Sequence, residues 1–176
     1  TEHGYNGRLI NETLLPKTDN LSIKKVGGEG NEYSVNNVNY PAYADNDYET
    51  GKWRIEVSPK EDAKSDYFLN VLQVADNTLN PEPLESTYLE TEELIGVQIK
   101  DRVAYFGKSK IRTSDVLSVS GNGTDNLIYT VCGLSAGQWQ VSGDDYNATV
   151  TATKEGGVVS FTAPGGEYTL TKLSEN

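Results

Sequence analysis

Three carboxylates alternate along the segment "ADNDYETG", at Asp45, Asp47 and Glu49. Oxygen ligands at alternate positions of a loop can fold around calcium, which prefers carboxylates and carbonyls. The EF-hand pattern would place its glycine one residue earlier than Gly51, and no flanking helices are predicted. The segment is therefore a calcium candidate, and its alternative is a solvated acidic loop. The segment "GDDYNAT" offers Asp144 and Asp145 in the same, weaker sense.

General acid–base chemistry has few candidates in this sequence. His3 is the single histidine, so a Ser-His-Asp triad or a histidine metal site has at most one imidazole available. We expect this residue to lie in a frayed terminus. The eleven tyrosines are the alternative acids or bases, but a tyrosine base needs a lowered pKa, usually from a neighbouring cation. No motif marks such a tyrosine.

The glycine cluster "GGEG", Gly27 to Gly30, occupies a place where a phosphate loop would be sought. It lacks the lysine and hydroxyl of a P-loop, and no predicted helix follows it. Glycines between strands more often supply the positive φ that a turn or bulge requires. We predict a structural turn here.

The net charge of the chain limits the classes of partner that it is expected to bind. Lys and Arg number 15 and Asp and Glu number 26, which gives a net charge of −11 and a pI near 4.5. Such a chain repels phosphate backbones and anionic membranes, so nucleic acid and membrane partners are not expected. A polyanionic polysaccharide is also disfavoured, unless cationic residues cluster locally or another domain supplies them. No apolar run is long enough for a membrane helix.

The single cysteine, Cys132, cannot form an intramolecular disulfide. Its context "IYTVCGL" predicts a buried strand residue rather than a nucleophile. The fold must then depend on its core and its backbone ladders. The chain begins at Thr1 and has no methionine, so we expect a piece of a longer protein, with a mature processed product as the alternative.

Apolar residues recur with period two, which predicts strands, and no amphipathic run is long enough for a helix. The predicted strands are "RLINETLL", "LSIKKV", "KWRIEV", "DYFLNVLQV", "GVQIKDRVAYF", "NLIYTVCGL", "ATVTAT", "VVSFTA" and "EYTLTKL". Segments rich in Gly, Pro, Asn and Asp, such as "SGNGTDN", separate them and predict turns. We therefore predict an all-β fold, an antiparallel β-sandwich with little or no helix.

Some strands can be placed within this fold. "DYFLNVLQVAD" is apolar on both alternating sets, which predicts a central strand covered on both faces. "ATVTAT" alternates small apolar residues with threonine, which suits an exposed face or an edge strand. It is followed by "VVSFTA" and "EYTLTKL", which predicts a C-terminal three-stranded meander. We predict a single domain over 1–176, with the loop 76–86 as its best internal boundary between strands 1–76 and closing strands 86–176.

Five pieces in order, "GRLINETLLP", "VGGEGNEY", "NVNYP", "GKWRIEVSP" and "DYFLNVLQVAD", resemble the C-terminal β-domain of heparinase II/III-like polysaccharide lyases, the group of alginate and heparan-sulfate lyases. They run from Gly7 to Asp76. The resemblance implies that an α-helical toroid precedes the β-sandwich in a secreted or periplasmic protein. It also implies that the polysaccharide binds in the groove between the two parts.

The reaction implied by the resemblance is β-elimination at a uronic acid, in which a Tyr or His removes the C5 proton and a Tyr protonates the leaving oxygen. The family's catalytic residues lie upstream of the strand at which this chain begins. We therefore expect a catalytically incomplete portion that forms one wall of the groove, and we assign no catalytic residue. A free-standing module for glycan binding or surface adhesion is the alternative.

Sugar contacts are predicted at Asn39, Tyr40 and Trp53, because amides and aromatic faces suit hydroxylated rings. The alternative places Tyr40 and Trp53 in the core or in turns. No cofactor other than calcium at Asp45, Asp47 and Glu49 is predicted.

Overall fold

The computed structural model describes residues 6–40, 52–79 and 81–174. The chain divides into two compact units, Thr1–Leu79 and Asn80–Asn176. Both are built from β-strands, and the one helix in the described ranges is a 3-10 turn at Thr18–Asn20. The predicted all-β, antiparallel fold is confirmed. Over the same ranges, no helix has the length and apolar character needed to cross a membrane.

The first unit contains three antiparallel strand pairs, nested in sequence. The pairs are β1 (Gly7–Leu15) with β6 (Leu69–Asp76), β2 (Leu21–Gly27) with β5 (Trp53–Pro59), and β3 (Ser34–Val35) with β4 (Val38–Asn39). Within the part of the chain that the structure describes, each of these strands has a single hydrogen-bonded neighbour.

The tight turn between β3 and β4 follows from its sequence. Asn36 and Asn37 both have positive φ, 49° and 65°, as a two-residue type I′ hairpin turn requires. Asparagine tolerates this region better than other side chains. The turn therefore presents two adjacent amide side chains.

The prediction that β6 is a central strand is wrong. Among the residues that the structure describes, β6 pairs with β1 alone. Leu69 and Val71 on one face are buried, whereas Leu72 and Val74 on the other face are 61% and 81% exposed. Leu9, opposite Val74 in β1, is 59% exposed as well. The described residues therefore leave one apolar face of this pair uncovered.

The second unit is one seven-stranded sheet with the order β12-β11-β13-β10-β9-β8-β7. Its strands are β7 (Ser86–Glu90), β8 (Leu94–Ile99), β9 (Arg102–Gly107), β10 (Leu117–Cys132), β11 (Gly137–Ser142), β12 (Asn147–Ala152) and β13 (Val158–Lys172). All neighbours are antiparallel except β9 and β10. Among the described strands β12 lies at an edge of the sheet, which is one of the two predicted placements.

This sheet folds over on itself. Tyr105 of β9 pairs with Val131 of β10, yet its hydroxyl donates to the carbonyl of Ser120, 3.2 Å away. Eleven residues of straight strand would separate Ser120 from Val131 by about 36 Å, far beyond the reach of a tyrosine. β10 therefore bends where its ladder with β13 is interrupted, between Gly121 and Asn126.

The bend creates two layers around one hydrophobic core. Trp139 is fully buried and its indole N–H donates to the carbonyl of Ser135 at 3.0 Å. Tyr129 stacks on Phe161 with ring centroids 4.8 Å apart, and Tyr168 meets Tyr129 edge-on. Residues from both halves of β10 belong to this single cluster, which is the core expected of a sandwich.

Two strand predictions need correction. "GVQIKDRVAYF" is a hairpin rather than one strand, because the chain turns at Lys100 and Asp101. The predicted C-terminal meander is also wrong, since "VVSFTA" and "EYTLTKL" are halves of the single strand β13. The glycines between them lie at the bend and not in a hairpin turn.

Candidate functional site

The two faces of the β2–β5 ribbon differ in chemistry. Residues directly opposite each other in an antiparallel pair share a face. Lys24 lies opposite Glu56, and Val26 lies opposite Arg54. The other face carries the next set, in which Ile55 lies opposite Lys25 and Trp53 lies opposite Gly27.

The glycine turn closes one end of this ribbon. Gly27 and Gly28 have φ of 132° and 93°, which L side chains rarely adopt. The Gly28 N–H donates to the carbonyl of Lys52 at 2.9 Å. A Cβ on Gly28 would lie 2.7 Å from the Trp53 ring. The glycines therefore form the predicted structural turn and make room for the indole.

A cavity of about 420 Å³ lies along the ribbon and the β3–β4 hairpin. We call it the polar groove. The polar side chains that carry its chemistry are Lys24, Asn31, Asn36, Asn37, Arg54 and Glu56. Lys25 also borders it. The sequence separates these residues widely, and the strand register brings them together.

The groove is locally cationic in an acidic chain. Arg54 Nη2 lies 2.6 Å from Glu56 Oε1, and Arg54 Nε donates to the same oxygen at 2.8 Å. Both side chains are more than a third exposed, so this pair contributes little to stability; it orients the guanidinium. Lys24 and Arg54 carry two positive charges in the groove, against the single carboxylate of Glu56. This is the local clustering that an acidic polysaccharide would require.

The structure separates the three predicted sugar contacts. Asn39 uses its Oδ1 to accept the Tyr33 N–H at 2.9 Å, so its amide is already engaged in the turn. Tyr40 is 61% exposed. Trp53 is 53% exposed, on the ribbon face away from Arg54, with the Lys25 ammonium 4.1 Å from its ring centroid. The contacts of the described residues do not join the three.

Of the two groups of candidate metal ligands, the structure describes only one. Asp45, Asp47 and Glu49, like His3, lie outside the described residues, so the calcium site there stays a prediction. Asp144 and Asp145 line a cavity of about 200 Å³ together with Glu167 and two tyrosines. Within the described ranges, no three His, Cys, Asp or Glu residues are grouped to hold a metal ion.

The tyrosines with shifted pKa values are unsuited to act as bases. Burial, together with the neighbouring Glu90 carboxylate, raises the pKa of Tyr88 to about 12. Burial raises the pKa of Tyr129 to about 12, and it also raises the pKa of Tyr168. A catalytic base needs the opposite shift. Partial burial likewise raises the pKa of the Cys132 thiol. Cys132 lies in a strand as predicted, at the end of β10, but it is half-buried rather than buried.

Sequence reasoning missed the polar groove. The alternation of "LSIKKV" and "KWRIEV" indicates two faces for each strand, but it does not give their register. The dipeptide Asn36-Asn37 between two valines is a hairpin signal that could have placed two amides beside the ribbon. The proximity of these amides to Lys24 and Arg54 depends on the strand register, which the local sequence does not specify.

Among known protein families, residues 88–172 of the chain match the Heparinase II C-terminal domain. The match covers slightly less than half of the chain and most of the second unit. It confirms the resemblance to heparinase II/III-like lyases through a different stretch, since the five pieces between Gly7 and Asp76 precede it. No curated protein matches the chain.

Proposed function

We propose that the chain is the C-terminal β-sheet portion of a lyase that cleaves uronic-acid polysaccharides by β-elimination, because residues 88–172 match the Heparinase II C-terminal domain. The portion is catalytically incomplete on its own. It forms one wall of the substrate groove and braces an upstream helical domain that provides the rest of the site. The protein acts outside the cytoplasm, in the periplasm or secreted, where such polysaccharides occur.

One observation carries this proposal: the described residues of the first unit include very few buried apolar side chains. Leu15, Leu69 and Val71 are the buried apolar residues that the described structure places in this unit, and the remaining core residues all belong to the second. Isolated two-stranded pairs are marginal in water. A unit of this kind needs an additional layer.

The exposed apolar side chains mark where that layer would pack. On the β1–β6 pair they are Leu9, Leu72 and Val74, and on the β2–β5 ribbon they are Ile23, Trp53 and Ile55. Exposed apolar clusters of this kind are typical of surfaces that bind another protein segment. In this proposal further β-strands of the same polypeptide cover them.

The second supporting observation concerns catalysis. The pKa values of Tyr88, Tyr129 and Tyr168 move upward, whereas proton abstraction at C5 calls for a base that ionises readily. Tyr129 and Tyr168 also donate their hydroxyl protons to the carbonyl of Pro164, at 3.1 and 2.7 Å. In this proposal these three tyrosines stabilise the fold and take no part in β-elimination.

An activity assay tests the proposal. The product of the complete gene and this chain alone are incubated with alginate, heparan sulfate and chondroitin sulfate, and the ultraviolet absorbance of unsaturated uronate is followed. We expect activity from the complete product on one of the three and none from the chain alone. Activity of the chain alone would overturn catalytic incompleteness, and an inactive, folded complete product would overturn the lyase assignment.

The second candidate function is a free-standing glycan-binding or adhesion module, which the cationic polar groove favours. The reading frame separates the two. Several hundred residues of helical sequence upstream of Thr1 support the lyase, whereas a signal peptide directly before Thr1 supports the binding module.

A further inference from the structure

The two faces of the β2–β5 ribbon suit two different partners. Trp53 and Ile55 lie on one face and are each 53% exposed, and Ile23 on the same face is 57% exposed. Arg54, Glu56 and Lys24 lie on the opposite face. Water solvates the second set well and the first set poorly. If the apolar face packs against protein, the polar face remains for a hydrophilic ligand.

The chemistry of the polar groove indicates what that ligand is. Lys24 and Arg54 supply ammonium and guanidinium donors in a chain whose net charge is −11. Guanidinium groups match carboxylate and sulfate groups in geometry as well as in charge. The groove therefore selects an anion.

The amides add recognition of a hydroxylated ring. Asn36 and Asn37 occupy the type I′ turn at the groove, with side chains that are both donors and acceptors. Asn31 is fixed by its own backbone, because its N–H donates to the Gly28 carbonyl at 2.8 Å. Alternating donors and acceptors next to cations suit an acidic sugar better than a simple inorganic anion.

We propose that the polar groove is a subsite for an acidic sugar residue. Lys24 and Arg54 bind its carboxylate or sulfate, and the amides of Asn36 and Asn37 bind its hydroxyls. This inference deepens the proposed function, because it places the polysaccharide on the Arg54 face of the ribbon and the protein partner on the Trp53 face.

The test measures binding of defined oligosaccharides to the 176-residue chain by calorimetry at low salt. Hexasaccharides of alginate and of heparan sulfate are the anionic probes, and cellohexaose is the neutral one. We expect at least one anionic probe to bind, with affinity that falls as salt rises, and cellohexaose not to bind. Equal binding of the neutral probe, or no binding of either anionic probe, would overturn the subsite.

Substitutions in the groove locate the contact. Lys24→Ala and Arg54→Gln each remove a charge-assisted contact and should weaken binding about tenfold. Asn36→Gly with Asn37→Gly keeps the positive-φ turn and deletes both amides, so it should weaken binding without unfolding the hairpin. Lys64→Ala is the matched control, since it removes the same charge from the first unit at a residue that does not line the groove; its affinity should stay within about twofold of the parent chain. Equal losses in Lys24→Ala and Lys64→Ala would mean general charge attraction and would overturn the assignment.

Tryptophan fluorescence decides which ribbon face the sugar contacts. The chain has two tryptophans; Trp139 is fully buried and Trp53 is half exposed, so a ligand-induced change reports on Trp53. Binding in the polar groove should leave the emission of Trp53 unchanged, whereas stacking of a sugar on its ring would quench or shift it. A large shift at saturating ligand would overturn the subsite in favour of the contact predicted at Trp53.

The outcomes also separate this inference from the proposed function. If the complete gene product is an active lyase and Lys24→Ala and Arg54→Gln leave its activity unchanged, the proposed function stands and the subsite is refuted. Loss of oligosaccharide binding in these variants, with no lyase activity in the complete gene product, would retain the subsite and refute the lyase.

Discussion

Trp53 and Arg54 are consecutive residues of β5, and their side chains lie on opposite faces of the β2–β5 ribbon. Trp53 is opposite Gly27, beside the glycine turn, and Arg54 is opposite Val26, beside the polar groove. A shift of one residue in the register would exchange the two faces. The glycine turn at the end of this ribbon therefore helps to determine which of the two side chains borders the polar groove.

Replacing Gly28 by alanine should destabilise the first unit. The new Cβ would lie 2.7 Å from the Trp53 ring, at a φ of 93°, and such strained positions cost about 1–3 kcal/mol each. Urea unfolding followed by Trp53 fluorescence measures the loss. Gly7→Ala is the control, because no atom lies within 4 Å of its Cβ. Equal midpoints for the two variants would contradict the structural role of the turn.

Removing the hydroxyl of Tyr105 should destabilise the second unit. That hydroxyl donates to the Ser120 carbonyl and accepts the Ser120 N–H at 3.1 Å, so Tyr105→Phe leaves buried backbone groups unpaired at a cost of about 1–3 kcal/mol. Chemical denaturation followed by Trp139 fluorescence is the measurement. Tyr88→Phe, whose hydroxyl bonds the exposed Glu90, should change stability much less. An unchanged free energy of unfolding in Tyr105→Phe would contradict the folded-over sheet.

The composition and periodicity of the sequence were sufficient to predict the all-β fold and most strands, since strand alternation is a local property. They could not distinguish a bend from a turn. "SGNGTDN" and "PGG" contain turn residues, yet both lie inside long strands that bend around the core. "GVQIKDRVAYF" shows the reverse error, because Lys100 and Asp101 carry a tight turn without glycine or proline.

The candidate site was less predictable than the fold. Lys24, Asn36 and Arg54 meet only because of strand register and hairpin geometry, which are non-local. Trp53 and Tyr40 were recognised by residue type alone. That criterion found exposed aromatic residues but could not assign them to a face.

Alkaline conditions should destabilise the second unit through Tyr129. Burial raises the pKa of this phenol from 10.0 to about 12, so the unfolded state loses its proton first and the folded state keeps it. The stabilisation is fully present below pH 10 and is lost as the pH rises towards about 12. Thermal melting across this interval, with Tyr129→Phe for comparison, measures the effect. The variant should show a shallower decline, and an identical decline would contradict the assignment.

The thiol of Cys132 should react slowly in the folded chain. Burial raises its pKa, and the thiolate is the reactive form. Mass spectrometry after timed exposure to iodoacetamide measures the rate at which this thiol is alkylated. The signal comes from one site, because the chain has one cysteine. We expect fast labelling in denaturant and slow labelling without it. Equal rates would show that the end of β10 is open in solution.

The most direct test of the central claim is hydroxyl-radical labelling of Leu72, Val74 and Ile55 in this chain and in the complete gene product, read by mass spectrometry. The claim is that these exposed apolar residues are covered by further strands of the same polypeptide. We predict strong labelling in the isolated chain and several-fold protection in the complete product, with the exposed Ile111 of the second unit as the internal reference. Equal labelling of the three residues in both proteins would contradict the account.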